Sequence, residues 1–223
     1  MKSTQGNEIY LKLKKDIISL KLEPGAQLSI KELIATLGVS RSPIRDAFLK
    51  LSNERLVDII PQSGCRVSTI DIDMAEQERL IRKSVELEMI RRKTLIVDKE
   101  FLVKQQSNLM FQKIAIDDND LSKFFKLDEE FHRRLFESSG LLYTWKIIEN
   151  NTCSSYQRVR VLSMRVSGVA TNILEQHVRM REACENNNFE ELFEIDKVHL
   201  SKIDEELPYL VEKFPTYFTQ KNI

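Results

Sequence analysis

The sequence predicts a mostly α-helical protein in two parts: a winged helix-turn-helix within residues 1–70 and an all-α antiparallel helical bundle over 74–223. Three observations carry this. The first 70 residues hold three short helical patterns and then two β-like runs about a turn. Beyond residue 73 helical periodicity continues almost to the end. Only six glycines and five prolines favour long helices over a loop-rich β fold.

The first helical pattern, Asn7 to Leu22, sets Ile9, Leu13, Ile17 and Leu20 on one face and stops at Glu23-Pro24-Gly25, a turn signal. Ser29-Ile30-Lys31-Glu32 reads as a capping box opening a short helix that Gly38 ends. A third helix follows with Ser40 or Ser42 as cap, Pro43 in its first turn, and Ile44, Ala47, Phe48 and Leu51 facing inward. Leu56–Ile60 and Cys65–Ser68 flank Pro61-Gln62-Ser63-Gly64, a hairpin-sized gap. Asp71-Ile72-Asp73 looks like a cap and hinge. Helices are then predicted over 73–96, 98–115, 117–138, 141–163, 168–185 and 189–205, with a short last one near 207–213.

Hydrophobic residues at 42% and charged residues at 30% are ordinary for a globular protein. The first seven residues lack an apolar signal core, and no stretch approaches the roughly 18 apolar residues of a membrane span. Cys65, Cys153 and Cys184 are odd in number and lack a CxxC spacing, which fits reduced thiols. A cytoplasmic protein with no membrane role is expected. The net charge of zero hides an asymmetry. Residues 1–70 hold 11 Lys/Arg against 7 Asp/Glu, and the remainder carries the opposite excess. A basic head on an acidic body suits a polyanion bound at one end.

A helix-turn-helix offers the first turn of its second helix to base edges. Here that turn carries Ser40, Arg41, Ser42 and Arg45, the two arginines one helical turn apart and opposite the apolar anchor. Lys31 and the wing tip, Gln62, Ser63 and Gly64, can meet phosphates. In the second part, Asp128 and His132 share a helix face. His177 lies ten residues before, and His199 twelve after, the middle of the turn Asn186-Asn187-Asn188. In an antiparallel hairpin both then stand about 15–18 Å from the turn. A lone helical histidine is more often a core residue, but one carboxylate and three imidazoles at matched heights can converge on a cation. Zinc heads the candidates, with nickel, iron, cobalt and manganese as alternatives.

Leu22–Leu28, Leu37–Ala47 and the wing resemble the N-terminal domain of GntR-family regulators. Arg55 departs from the glycine usual before the wing, and Ser63 from the basic residue frequent at its tip. Asp128-x-x-x-His132 with the two later histidines resembles the metal-binding FCD effector domain of the FadR subgroup, and the resemblance implies a divalent ion at those four positions. Arg82-Lys83-Ser84-Val85-Glu86 is similar to that domain's Arg-x-x-Leu-Glu stretch. It implies that Arg82, with Glu86 beside it, faces an effector's carboxylate; Arg158 and Arg160 are further candidates for the same pocket. A guanidinium beside a divalent cation needs an anion, hence a small organic acid, a carboxylate or sugar acid. The tail Phe214–Phe218 also resembles some members and reads as packing. Expected is a homodimeric repressor on double-stranded palindromic operator DNA. The rival is a metal-dependent hydrolase or oxygenase with a DNA-binding head, drafting Glu86 or Glu130 as base.

Overall fold

The computed structural model describes residues 4–151 and 154–219. Helix α1 (Thr4–Ile18) buries Ile9, Leu13 and Ile17 against α3, and ends four residues earlier than its periodicity suggests. The reason is tertiary: Leu20 turns left-handed at φ 56° and sends its side chain into a second core, beyond the head. Strand β1 (Gln27–Leu28) pairs antiparallel with β3, a contact its two residues do not announce. Ser29 caps α2 (Ile30–Leu37) by accepting from the Glu32 N–H at 3.2 Å, and Gly38 closes it at φ 65°. Helix α3 (Arg41–Asn53) buries Ile44, Ala47, Phe48 and Leu51 as expected from their spacing. Strands β2 (Val57–Ile60) and β3 (Gly64–Val67) form the wing, Val57 opposite Val67 and Ile60 opposite Gly64.

Asp71 caps α4 (Ile72–Arg91), accepting from the Met74 N–H at 3.0 Å. Then come α5 (Lys99–Asp117), α6 (Leu121–Ser138), α7 (Leu142–Asn151), α8 (Ser154–Ser163), α9 (Val169–Glu185), α10 (Phe189–His199) and α11 (Lys202–Lys213). The single helix expected over 141–163 is two. The first turn of α8 is held from outside: buried Glu78 of α4 accepts from the N–H groups of Ser155 and Tyr156 at 3.1 and 2.8 Å. A carboxylate at a helix N-terminus satisfies donors that a continuous helix would have bonded internally. The helix expected over 189–205 stops at His199, and the last helix is correspondingly longer. Cys65 and Cys184 are buried free thiols; Cys153 lies outside the described residues. Among the described residues no helix is long and apolar enough to cross a membrane.

The bundle has two apolar cores. One gathers Phe131, Leu135, Phe136, Trp145 and Met180. The other joins Tyr156, Leu162 and Leu210 to Leu20, Ile70 and Phe218, so the chain between head and bundle packs on the C-terminal tail. Ile70 donates its N–H to Tyr217 O at 2.7 Å and accepts from the Thr219 N–H at 2.9 Å. The tail therefore does more than pack: it adds a strand-like bridge to the linker.

Candidate metal centre and DNA-facing surface

In the bundle interior α6 supplies Asp128 and His132, α9 His177 and α10 His199. One ligand atom from each of the four lies within 4.8 Å of all the others. Asp128, His132 and His177 are fully buried. His132 Nε2 stands 3.1 Å from His199 Nε2, and His177 Nε2 3.7 Å from Asp128 Oδ1.

The outward nitrogens explain that orientation. His177 Nδ1 faces Gln112 Oε1 at 2.9 Å, His199 Nδ1 faces Gln176 Oε1 at 2.8 Å, and His132 Nδ1 is hydrogen-bonded to Glu86 Oε1. An oxygen acceptor opposite Nδ1 selects the Nδ1–H tautomer and leaves the lone pair on Nε2. Three lone pairs then point at one spot with no proton between them. His177 Nε2 and Asp128 Oδ1 are buried without a hydrogen-bond partner. Burial pushes His177 down to about 4 and takes His132 and His199 well below the usual imidazole range, so all three are neutral near pH 7. Neutral imidazoles and a bare carboxylate oxygen form a donor set with nothing to donate to, which is what a divalent cation requires. Metal bonds of about 2.0–2.2 Å put adjacent donors roughly 3.0–3.5 Å apart, close to the separations here. The residues fit a metal ion.

Around this centre lie Arg82, Glu86, Glu129, Arg160 and Asp196. Arg82 is fully buried; its Nε donates to Glu86 Oε2 at 3.3 Å and its Nη1 to Glu129 Oε1 at 2.8 Å. Arg160 donates to Asp128 Oδ2 and to the same Glu129 Oε1. Burial would raise the Asp128 and Glu129 carboxyls, but the guanidiniums outweigh it and hold both below the usual range. Asp196 has no hydrogen-bond partner, and burial, helped by the nearby Glu86, drives its carboxyl well upward against the pull of Arg82 and Lys83.

Of the residues expected around an effector, Arg82, Glu86 and Arg160 are brought to the cluster, while Arg158 is not. Arg158 reaches the linker instead, donating to Ser68 O at 2.5 Å and Thr69 O at 3.2 Å. Two carbonyls of an irregular segment, one of them on buried Ser68, accept from it there. Glu86 stands behind His132 and orients it. Sequence reasoning missed Glu129, Gln112, Gln176 and Asp196. Gln105, Asn108 and Gln112, all buried at helical spacing, form a polar stripe that could have signalled Gln112. A cavity of about 40 Å³ adjoins Asp128, Arg160 and His199, roofed by Lys202, Ile203 and Glu206 of α11.

At the other end Lys31, Ser40, Arg41, Ser42, Arg45, Gln62, Ser63 and Gly64 are all exposed. Lys31, Arg41 and Arg45 enter no ion pair among the described residues, unlike Arg66, paired with Asp58 at 3.2 Å. Their charge remains available to an external anion.

The model for bacterial regulatory proteins of the gntR family matches residues 5–67, and that for the FCD domain residues 79–202. The chain is 29% identical over 214 residues to the HTH-type transcriptional repressor RspR of Escherichia coli (strain K12), covering 96% of this chain and 93% of that one. It is 27% identical over 168 residues to the gluconate operon transcriptional repressor of Bacillus subtilis (strain 168), covering 74% and 67%. The fold is similar to that of E. coli McbR/YncC, with TM-score 0.76 at 17% identity over 95% of this chain and 99% of that one. It also resembles a putative GntR regulator from Rhodococcus sp. RHA1, with TM-score 0.73 at 20% identity over 93% and 99%.

Proposed function

The chain belongs to the gntR family of bacterial regulatory proteins and carries an FCD effector domain, and from that membership we propose that Asp128, His132, His177 and His199 form its sensing centre, binding a divalent cation and a small organic acid. The protein is a DNA-binding transcriptional regulator, and the enzyme alternative is set aside on the family.

The first turn of α3, from Ser40 through Arg41, Ser42 and Arg45, reads bases, while Lys31 and the wing tip Gln62, Ser63 and Gly64 hold phosphates. A homodimer sets two such helices about one DNA turn apart on a palindromic operator. The cation is held by the three Nε2 atoms and Asp128 Oδ1; zinc is the first candidate, with nickel, iron, cobalt or manganese as alternatives. When bound it supplies a Lewis-acidic centre for an acid's oxygen. Glu86, Gln112 and Gln176 keep the imidazoles in the ligating tautomer. Two connections lead from the centre to the head. Arg158, two residues before Arg160 on α8, grips the linker carbonyls. Helix α11 roofs the cavity and runs into the tail that bridges Ile70. Acid binding shifts these elements and lowers operator affinity, with a coupling on the order of 1–3 kcal/mol. A sugar acid is the first class to test, since one relative is named for the gluconate operon.

The observation that carries this reading is the tethering of all three Nδ1 atoms outward, which leaves three Nε2 donors facing inward beside the unpartnered Asp128 Oδ1. Metal analysis of native protein beside His177→Ala tests it. Metal is expected to be lost in the variant while operator binding by mobility shift persists; unchanged metal stoichiometry would sink the site.

A further inference from the structure

Glu129 follows Asp128 on α6, so its side chain leaves the helix on the flank of the face that carries the cation ligands. Its Oε1 accepts from Arg82 Nη1 at 2.8 Å and also from Arg160 Nη1. One carboxylate oxygen thus holds both guanidiniums that an incoming acid would need. Their remaining donors are mostly spoken for: Arg82 Nε by Glu86 and Arg160 Nη2 by Asp128, with Arg82 Nη2 buried and unpartnered. The adjoining cavity of about 40 Å³ reaches Asp128 and Arg160 but is not lined by Arg82, so an acid held between the two guanidiniums takes the place that Glu129 holds. Glu129 is the group able to leave. Its side chain is 17% exposed, against 2% for Arg82 and 1% for Asp128.

We propose that Glu129 is a resident anion, occupying the carboxylate subsite between Arg82 and Arg160, and that an acid effector binds by displacing it. The proposal rests on the effector reading above and deepens it. A tethered carboxylate competes at high local concentration. Exchanging it for the carboxylate of a simple monoacid is a near-even trade of hydrogen bonds. Net affinity then comes from a second polar group on the ligand, so the site selects hydroxy acids or diacids over monocarboxylates. Rotation of the Glu129 side chain leaves the α6 backbone, and with it Asp128 and His132, in place. Arg82 of α4 and Arg160 of α8 then exchange a partner on α6 for one on the ligand. That removes one of the two polar links that tie α6 to each of α4 and α8, leaving Glu86 on His132 and Arg160 on Asp128, and α8 is the helix whose Arg158 holds the linker.

The test titrates metal-loaded full-length protein, wild type and Glu129→Gln, with acetate and with D-gluconate by calorimetry, and measures metal content of both. Acetate is expected to bind the variant at least about tenfold more tightly than the wild type, with metal content unchanged. Equal acetate affinity in the two proteins, with D-gluconate bound by the wild type, overturns the role of Glu129 and leaves the effector reading standing. Absence of acid binding in both proteins at full metal loading overturns both. Should Glu129→Gln fold poorly, a crystal structure of wild type with D-gluconate decides. The carboxylate of Glu129 is expected to have left both guanidiniums, and its persistence between them with acid bound overturns the proposal.

Discussion

Each histidine of the cluster has two nitrogens, and the atom opposite Nδ1 decides which one can take a cation. For His177 that atom is Gln112 Oε1, contributed by α5, a helix that supplies none of the four ligands. Replacing Gln112 with Ala frees the ring to rotate and to change tautomer. Cation affinity should fall about 10–100-fold, measured by competition with a chelator; unchanged affinity would show that the orientation is fixed by packing alone, for instance by Phe131, stacked on His177 at 4.2 Å. The same burial gives a pH dependence to the cation-free protein. His177 titrates at about 4 when folded and near 6.5 when unfolded. The unfolded chain therefore binds more protons between these values, and stability falls as pH drops from about 6.5 to about 4. Thermal melts of chelated protein across that window should show a declining Tm; a flat profile would mean the imidazoles are hydrated.

At the scale of elements, α8 is a junction. Its N-terminus is capped by Glu78, its Arg158 holds the linker, and its Arg160 reaches the cluster. Two arginines, two residues apart on one helix, thus serve the linker and the cluster. Arg158→Met keeps most of the volume and removes the donors to Ser68 and Thr69. It should lower stability by about 1–3 kcal/mol in denaturant unfolding while leaving metal content as in wild type. Metal loss in that variant would place Arg158 in the centre after all. The tail pairing is a second junction: Phe218 is buried beside Ile70 and Leu20. Phe218→Ala should cost about 3–5 kcal/mol and weaken the operator response to acid more than metal binding, because the tail touches the linker and not the ligands.

Across the whole molecule charge is divided by task. The unpaired cations of the head, Arg41 and Arg45 among them, face outward, whereas Arg82 and Arg160 of the bundle are consumed internally by carboxylates. Removing an outward arginine should therefore act on DNA alone. Arg45→Ala is expected to cost about 1–3 kcal/mol of operator affinity and flatten its salt dependence, with metal content and acid binding unchanged. Operator affinity equal to wild type would mean that α3 docks by some other face.

The sequence by itself determined the order of helices and wing, the inward faces of α1 and α3, the outward position of Arg41 and Arg45, and the four residues of the cluster. These follow from local rules, since periodicity and caps act within a few residues and matched heights in a hairpin are a matter of counting. Only tertiary structure decided where α8 begins, that Arg158 holds the linker, that the tail bridges Ile70, and that Glu129 lies between two arginines. Each of these is a buried polar group finding a partner tens of residues away, from Glu78 on Tyr156 to Ile70 on Tyr217. Such choices obey the demand that buried donors and acceptors be satisfied. Which group satisfies which depends on the packed arrangement of helices, and no spacing along the chain encodes it.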